Sequence, residues 1–377
     1  MKKLLITSLC LVICTWSLAQ DTDAVMASVQ KKLDEFFEAG DAPGVSVSVV
    51  LPNGDERTLV KGWANVEKKV KMSPKTKMLG GSTGKVFYSV VAMQLIEEGK
   101  LKLDEPIFAQ MSDYEWFGRM PNAKELTVRN LMRHQTGIPR YVFSEQFQAE
   151  VLKDVDKVWK PEELLAYVLD NDPLFAAGAD FAYSDTNYIV LCMLIEKVTG
   201  NGLYEEVQKR VLDKAGLKAV VPQNKRKYKN LAQGYNAEND PFFPGNALDE
   251  KGKSRYNLQF EWAGGGLVIT THDLALLGKK IYEGEMFDPA LLEEYFKGVD
   301  AGRLGGEWGL GVHIENTPQG TVYGHSGFMP GYVTNMRYYK KDKFSICYQI
   351  NTSDRSKMSI LRQLPNLGAI VSEELNK

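Results

Sequence analysis

The chain has 377 residues, with 46 Lys and Arg against 48 Asp and Glu and a formal net charge of −2. Charges of both signs are interspersed, so nothing in the balance argues for nucleic acid or an anionic membrane surface as a partner. With 44% hydrophobic residues and neither repeats nor low-complexity tracts, the length suits one large globular domain or two interleaved subdomains.

Met1-Lys2-Lys3, an apolar run from Leu4 to Leu18, and Ser17 and Ala19 at the −3 and −1 positions before Gln20 predict a secretory signal peptide. Residues 1–19 would then be removed after Ala19, and residues 20–377 would be periplasmic or secreted with no membrane span. Leu9 and Ile13 precede Cys10 and Cys14 where a lipoprotein signal needs a small residue, which argues against lipidation. Cys192 and Cys347 remain, either as one disulfide or as two buried free thiols. His134, His272, His313 and His325 form no H-E-x-x-H or similar pattern, so neither a metal nor an organic cofactor is expected.

A polar segment from about Thr22 to Glu38 reads as an amphipathic surface helix. Gly44 to Leu51 alternates as a strand with one buried face, Pro52-Asn53-Gly54-Asp55 makes a hairpin turn, and Thr58 to Val66 returns. An apolar helix then runs from Ser82 to about Glu98, stopped by Gly99. Thr127 to His134 predicts a short helix capped by Thr127, followed by helices at Pro161–Leu169, Thr186–Thr199 and Tyr204–Lys214. Val220 to about Phe260 is polar and rich in Pro, Gly and Asn, and reads as a surface excursion. Gly264 to Gly266 form a loop near the site. A helix follows at Thr271–Tyr282, then strands at Trp308–Glu315, Thr321–His325, Tyr332–Tyr339 and Phe344–Ile350. A last helix, Met358 to Leu375, should break at Pro365. The fold class is α+β. An antiparallel sheet is built from both termini and flanked by helices (about 20–100 and 260–377), with a mostly helical middle (about 101–259).

Between Ser82 and Ile96 the only charged side chain is Lys85. A helix apolar nearly all round is buried, and an interior ammonium needs a partner or a shifted pKa. Three-residue spacing puts Ser82 and Lys85 on one face, the S-x-x-K arrangement of an activated serine. Lys85 can serve as base to the hydroxyl if burial and the helix N-terminus depress its pKa, and the Ser82 N–H points where an oxyanion would form. Composition alone yields roughly one such spacing in a chain this long. A second copy does occur, Ser28-Val29-Gln30-Lys31, in the polar first helix, where it reads as accidental.

Four segments in order resemble the serine β-lactamase and penicillin-binding-protein superfamily, most closely its class C β-lactamase, D-alanyl-D-alanine carboxypeptidase and esterase branch. They are Gly81-Ser82-Thr83-Gly84-Lys85, Leu126 to Pro139, Tyr183-Ser184-Asp185-Thr186-Asn187-Tyr188, and Tyr323-Gly324-His325-Ser326-Gly327. The resemblance covers Gly44 to about Ile350 and implies the β-lactamase/transpeptidase-like fold. It implies Ser82 as nucleophile, Lys85 and Tyr183 as the proton-handling pair, and the Phe328 N–H as second oxyanion donor. His325, in the strand motif with Ser326 and Gly327, would face the Ser82–Tyr183 pair and supply a donor. Tyr228-Lys229-Asn230 also fits a Tyr-x-Asn pattern, but its charged surroundings favour Tyr183. Trp308, Tyr332 and Phe328 are candidates for pocket lining or for ordinary sheet core, and His134, His272 and His313 read as structural.

Two positions depart from the family's commonest pattern. Asp185 stands where many relatives have Asn. A carboxylate only accepts hydrogen bonds, favours a charged Lys85, and repels a substrate carboxylate, which predicts poor β-lactam hydrolysis. His325 replaces a lysine with a group that titrates near neutrality. The expected function is a secreted serine hydrolase working through a Ser82 acyl-enzyme on amide, lactam or ester bonds of a small-molecule or peptide substrate. The alternative is a penicillin-binding sensor or peptide-binding module that acylates with little turnover.

Overall fold

The computed structural model describes residues 22–240 and 243–377, so the signal-peptide reading of residues 1–19 lies outside the described residues. The strands, in chain order, are β1 (Gly44–Val50), β2 (Glu56–Asn65), β3 (Val70–Lys71), β4 (Met78–Leu79), β5 (Val221–Pro222) and β6 (Leu267–Ile269). They continue as β7 (Val299–Asp300), β8 (Glu307–Trp308), β9 (His313–Thr317), β10 (Gly320–Met329), β11 (Tyr332–Tyr339) and β12 (Phe344–Ile350). Nine form one antiparallel sheet in the order β3-β2-β1-β12-β11-β10-β9-β8-β7, and β4, β6 and β5 form a smaller one. The two ends of the chain meet where β1 pairs with β12, Val47 opposite Tyr348, so the large sheet is assembled from both termini as expected.

Helices cover both faces of that sheet. Val45, Val47 and Val49 pack with Val25, Val29 and Leu33 of the helix at 22–38 and with Leu367 and Val371 of the last helix, Pro365–Leu375. The alternation of β1 predicted one buried face, but both are buried. On the second face Ser46 and Ser48 share the Thr271 hydroxyl at 2.8 and 2.7 Å. Small hydroxyls there let the helix Thr271–Tyr282 close in while their polar atoms stay satisfied. Near the C-terminus the expected break is present. A 3-10 turn at Ser359–Arg362 precedes the helix that begins with Pro365 at its first position.

The middle of the chain is built around two apolar helices. Gly84–Glu97 is buried from Gly84 to Leu95. Asp185–Thr199 is buried from Asp185 to Ile195 and ends at Gly200 in a left-handed conformation. They touch through Ser89 Oγ and Tyr188 Oη, 2.9 Å apart. Thr127 caps the helix Val128–Met132 as predicted, and Pro161–Leu165 is shorter than predicted. Tyr204–Lys214 holds two short helical pieces around a π-helical turn, Gln208–Leu212. The Val220–Phe260 excursion is tied down rather than free. β5 pairs with β6, and the buried Gln233 amide bonds the Leu248 carbonyl and N–H at 3.0 and 2.8 Å, standing in for a strand partner. Cys192 and Cys347 are both free and buried. Among the described residues no helix is long and apolar enough to cross a membrane.

Candidate active site

Ser82 sits in a 3-10 turn, Gly81–Thr83, that runs directly into the helix carrying Lys85. Two glycines make this entry possible. Gly81 has φ +53°, which a side chain rarely adopts, and a Cβ on Gly84 would lie 1.9 Å from the Gly265 carbonyl oxygen. The predicted loop at Gly264–Gly266 therefore packs against the nucleophile turn.

The Lys85 ammonium is fully buried and donates to three acceptors. These are Ser82 Oγ at 3.1 Å, Asp185 Oδ1 at 2.7 Å, and the Gly264 carbonyl oxygen. Burial works to lower its pKa, yet the Asp185 carboxylate and Tyr183 together carry it above the ordinary lysine value. This corrects the expectation of a depressed lysine, because a charge with all three protons bonded to acceptors, one of them anionic, is held rather than released. The sequence-based concern over Asp185 is met in its strongest form. Asp185, itself buried at the start of its helix, is held far below the usual carboxylate range. Burial opposes this, and Lys85 and Arg140 outweigh it.

Arg140 is a residue that sequence reasoning missed. Its Nε and Nη2 both donate to Asp185 Oδ2, at 2.9 and 2.6 Å, so Asp185 bridges two cations. The Leu126–Pro139 segment delivers it. The Pro139 carbonyl accepts from the hydroxyls of Ser184 and Thr186 at 3.2 and 2.8 Å, and Thr136 Oγ1 donates to Asn187 Oδ1 at 2.6 Å. Two of the recognised segments are thereby clamped together, with Arg140 one residue beyond the clamp. The only local signal was a cation directly after Pro139.

Tyr183 is half-buried beside Lys85, with its hydroxyl oxygen buried, and the Lys85 ammonium lies 5.1 Å from its ring centroid. Its hydroxyl makes no hydrogen bond of good geometry, although Lys85 and Ser82 are near enough to pull its pKa down against burial, which raises it overall. Behind it, the His134 ring packs at 4.2 Å, tilted by 39°, and Trp308 meets it edge-on at 5.4 Å. His134 thus has a structural place, as expected, but directly under Tyr183. Tyr228 is elsewhere, its hydroxyl accepting from the Lys225 N–H.

His325 lies in the same cluster, 6.3 Å ring to ring from Tyr183. Its Nδ1 donates to the Ser326 carbonyl at 2.6 Å, which leaves Nε2 as an acceptor with no partner. Burial, and then Lys85, push its pKa down to about 3. Two expectations change. His325 does not titrate near neutrality, and Nε2 has no proton to donate. Ser326 is exposed, while Gly327 is pressed against the nucleophile turn, where a Cβ would fall 2.0 Å from the Gly80 carbonyl oxygen and 3.2 Å from Ser82 N. A Cβ on Gly81 would meet Phe328 N at 2.7 Å, so the Phe328 backbone runs beside the serine while its ring is 59% exposed.

A cavity of about 390 Å³ opens over this array, lined by Ser82, Arg140, Asp185 and Glu261 at its polar end. Glu261 was also missed. Burial raises its carboxyl to about 8, and Gln223 Nε2 donates to it at 3.1 Å.

Comparison with known proteins is consistent with this arrangement. The chain is 24% identical over 335 residues, covering 88% of this chain and 75% of that protein, to a teichoic acid D-alanine hydrolase of Staphylococcus aureus. Its fold superposes on a D-amino acid amidase from Ochrobactrum anthropi SV3, in a complex with L-phenylalanine amide, with TM-score 0.78 and 22% identity, covering 94% of this chain and 99% of that one. An octameric penicillin-binding protein homologue from Pyrococcus abyssi gives TM-score 0.71 at 25% identity, covering 92% and 78%. The sequence model of the Beta-lactamase family matches residues 29–364, and the chain belongs to that family, within the serine β-lactamase and penicillin-binding-protein superfamily.

Proposed function

We propose that the protein is an exported serine hydrolase that cleaves an amide or ester bond through a Ser82 acyl-enzyme, with a D-aminoacyl group as its acyl donor. The observation that carries this reading is the bonding of Lys85 Nζ to both Ser82 Oγ, at 3.1 Å, and Asp185, at 2.7 Å, on the wall of an open cavity. The D-aminoacyl choice is supported by two relatives named for D-amino acid chemistry, the teichoic acid D-alanine hydrolase and the D-amino acid amidase. Export rests on the signal-peptide pattern of residues 1–19.

In the first step Ser82 Oγ bonds to the substrate carbonyl carbon, and the backbone N–H groups of Ser82 and Phe328 take the oxyanion. The serine proton goes to the Lys85–Tyr183 pair, which passes it to the leaving nitrogen or oxygen as that bond breaks. Water then attacks the acyl carbonyl and gives one proton to the pair, which passes it to Ser82 Oγ as the bond between Oγ and the acyl carbon breaks and the acid is released. Lys85 and Tyr183 both hold their protons above ordinary values, so the competent enzyme is the fraction in which the coupled pair has lost one. Activity is therefore expected to climb with pH through and beyond neutrality.

A fluorophosphonate probe together with a panel of D-amino acid amides, D-alanyl esters and nitrocefin, run on wild type and Ser82→Ala, tests this. Labelling and turnover lost on Ser82→Ala support it, and an unlabelled wild type refutes it. A second reading, a penicillin-binding sensor that acylates with little turnover, is favoured by the Asp185–Lys85 pair, which keeps the lysine charged; stable labelling without turnover of any substrate would select it.

A further inference from the structure

The cavity over Ser82 has two unlike ends. Arg140 and Asp185, engaged with each other, lie at the serine. Away from them the lining is mostly aromatic and aliphatic, with Gln148 and Asp240 as its polar members, and is contributed by separate pieces of chain. These are the 3-10 turn Tyr141–Phe143, the helix Glu145–Lys153, the segment at Phe260, and the end of β10, Phe328 and Met329, with Pro330 just after it. The wall is held in place by ring contacts, with Phe147 lying 5.1 Å from Tyr141, 5.2 Å from Trp159 and 5.5 Å from Phe260. At the mouth Phe143 is 65% exposed, Phe328 59% and Leu152 42%. Among the described residues, Phe143 and Phe328 are the two largely exposed phenylalanines, and both border this cavity. Single exposed apolar side chains are ordinary; several gathered at the mouth of a preformed apolar hollow beside a nucleophile mark a binding surface.

We infer that this apolar hollow is the subsite for the side chain of the acyl group, and that it selects a bulky aromatic or branched apolar side chain over the methyl of alanine. The inference rests on Ser82 being the nucleophile, since that fixes which end of the cavity holds the scissile carbonyl. A methyl group would leave most of the aromatic wall in contact with water, whereas a benzyl or isobutyl group covers it. One methylene in an apolar pocket already discriminates by about 10- to 200-fold, so D-phenylalanine amide should exceed D-alanine amide in kcat/KM by at least about 10-fold.

The test compares kcat/KM for D-phenylalanine, D-leucine and D-alanine amides on the full chain, alongside calorimetric binding of the same amides to Ser82→Ala. The preference for the bulky amides should appear in both, and Phe143→Ala and Leu152→Ala, exposed positions that need not disturb folding, should cut the ratio several-fold. Equal values for the three amides, or a preference for alanine, would overturn the subsite. Failure of the nucleophile reading is separately visible. If wild type takes no fluorophosphonate, calorimetry on Ser82→Ala still decides whether the hollow prefers bulky side chains, and equal affinities there end the proposal.

Discussion

The molecule carries the same four-residue pattern twice, and the two copies do different things. Ser28 and Lys31 lie on the helix at 22–38, where Ser28 Oγ donates to the Glu374 carboxylate at 2.9 Å and Lys31 is exposed. The Ser28–Glu374 bond fastens the first helix to the last. Ser82 and Lys85 have the same spacing, but Lys85 is fully buried and bonded to Asp185, which lies a hundred residues further along the chain. Spacing sets only which side chains share a face. What the chemistry becomes depends on whether the lysine is dry and which groups the fold brings to it.

The contrast is broken most forcefully at the nucleophile. Ser82→Ala should lower kcat/KM by about 10,000-fold or more while leaving the thermal midpoint close to wild type, measured with a D-amino acid amide and by calorimetric melting. Asp185→Asn removes the counter-charge that holds the lysine protonated. Burial then dominates, the Lys85 pKa falls, and the acid limb of the kcat/KM profile should move to lower pH. Breaking this buried pair should also cost about 3 kcal/mol of stability. A limb that stays where it was would show that Lys85 is not the titrating group. Arg140→Ala strips two charge-assisted bonds from Asp185, an effect of about 2 kcal/mol, and should lower kcat/KM about 30-fold. Arg140→Lys should not restore it, since a point charge cannot supply two donors.

Two histidines sharpen the picture through stability. His134 and His325 are buried and neutral, His325 with its pKa lowered from 6.5 to about 3 and His134 well below its ordinary value, in both cases chiefly by burial and then by Lys85. Asp185 works in the opposite direction on both, while His325 and Arg140 add to the lowering at His134, and His313 adds to it at His325. The unfolded chain binds those protons first. Their contribution is thus fully present above about 6.5 and drains away as pH falls, for His325 down to about 3, at about 1.4 kcal/mol per pH unit for a group titrating in the unfolded chain only. Urea midpoints across that window should fall faster in wild type than in His325→Gln. The smallest effect belongs to the other copy of the motif. Ser28→Ala should leave kcat/KM unchanged and cost less than about 1 kcal/mol in a urea titration; a loss of activity would mean the first helix reaches the site in a way its contacts do not suggest.

Local patterns carried much of this architecture. The Thr127 cap, the stop at Gly200, the helix Thr271–Tyr282 and the break at Pro365 each follow from one residue's backbone preference, which needs no distant partner. Ser82, Lys85, Tyr183 and Asp185 were legible because they lie in short motifs. Arg140 and Glu261 were not, since nothing local marks a cation after Pro139 or a glutamate before a glycine run as facing the same serine. The buried serine face of β1 was missed for a related reason, because alternation reports polarity and not what lies opposite.

By itself, then, the sequence determined the longer strands and the two buried helices, the glycine-flanked nucleophile turn and the residues around which a hydrolase site would form, while the helix Glu145–Lys153 and the short strands β3, β4, β5 and β7 went unread. Those features depend on backbone torsions and periodicity, both local quantities. The tertiary structure alone decided the protonation states. The charge on Lys85, the ionisation of Asp185 and the neutrality of His325 are set by burial and by partners from other segments, which electrostatics in a dry interior weighs far more heavily than neighbours in sequence.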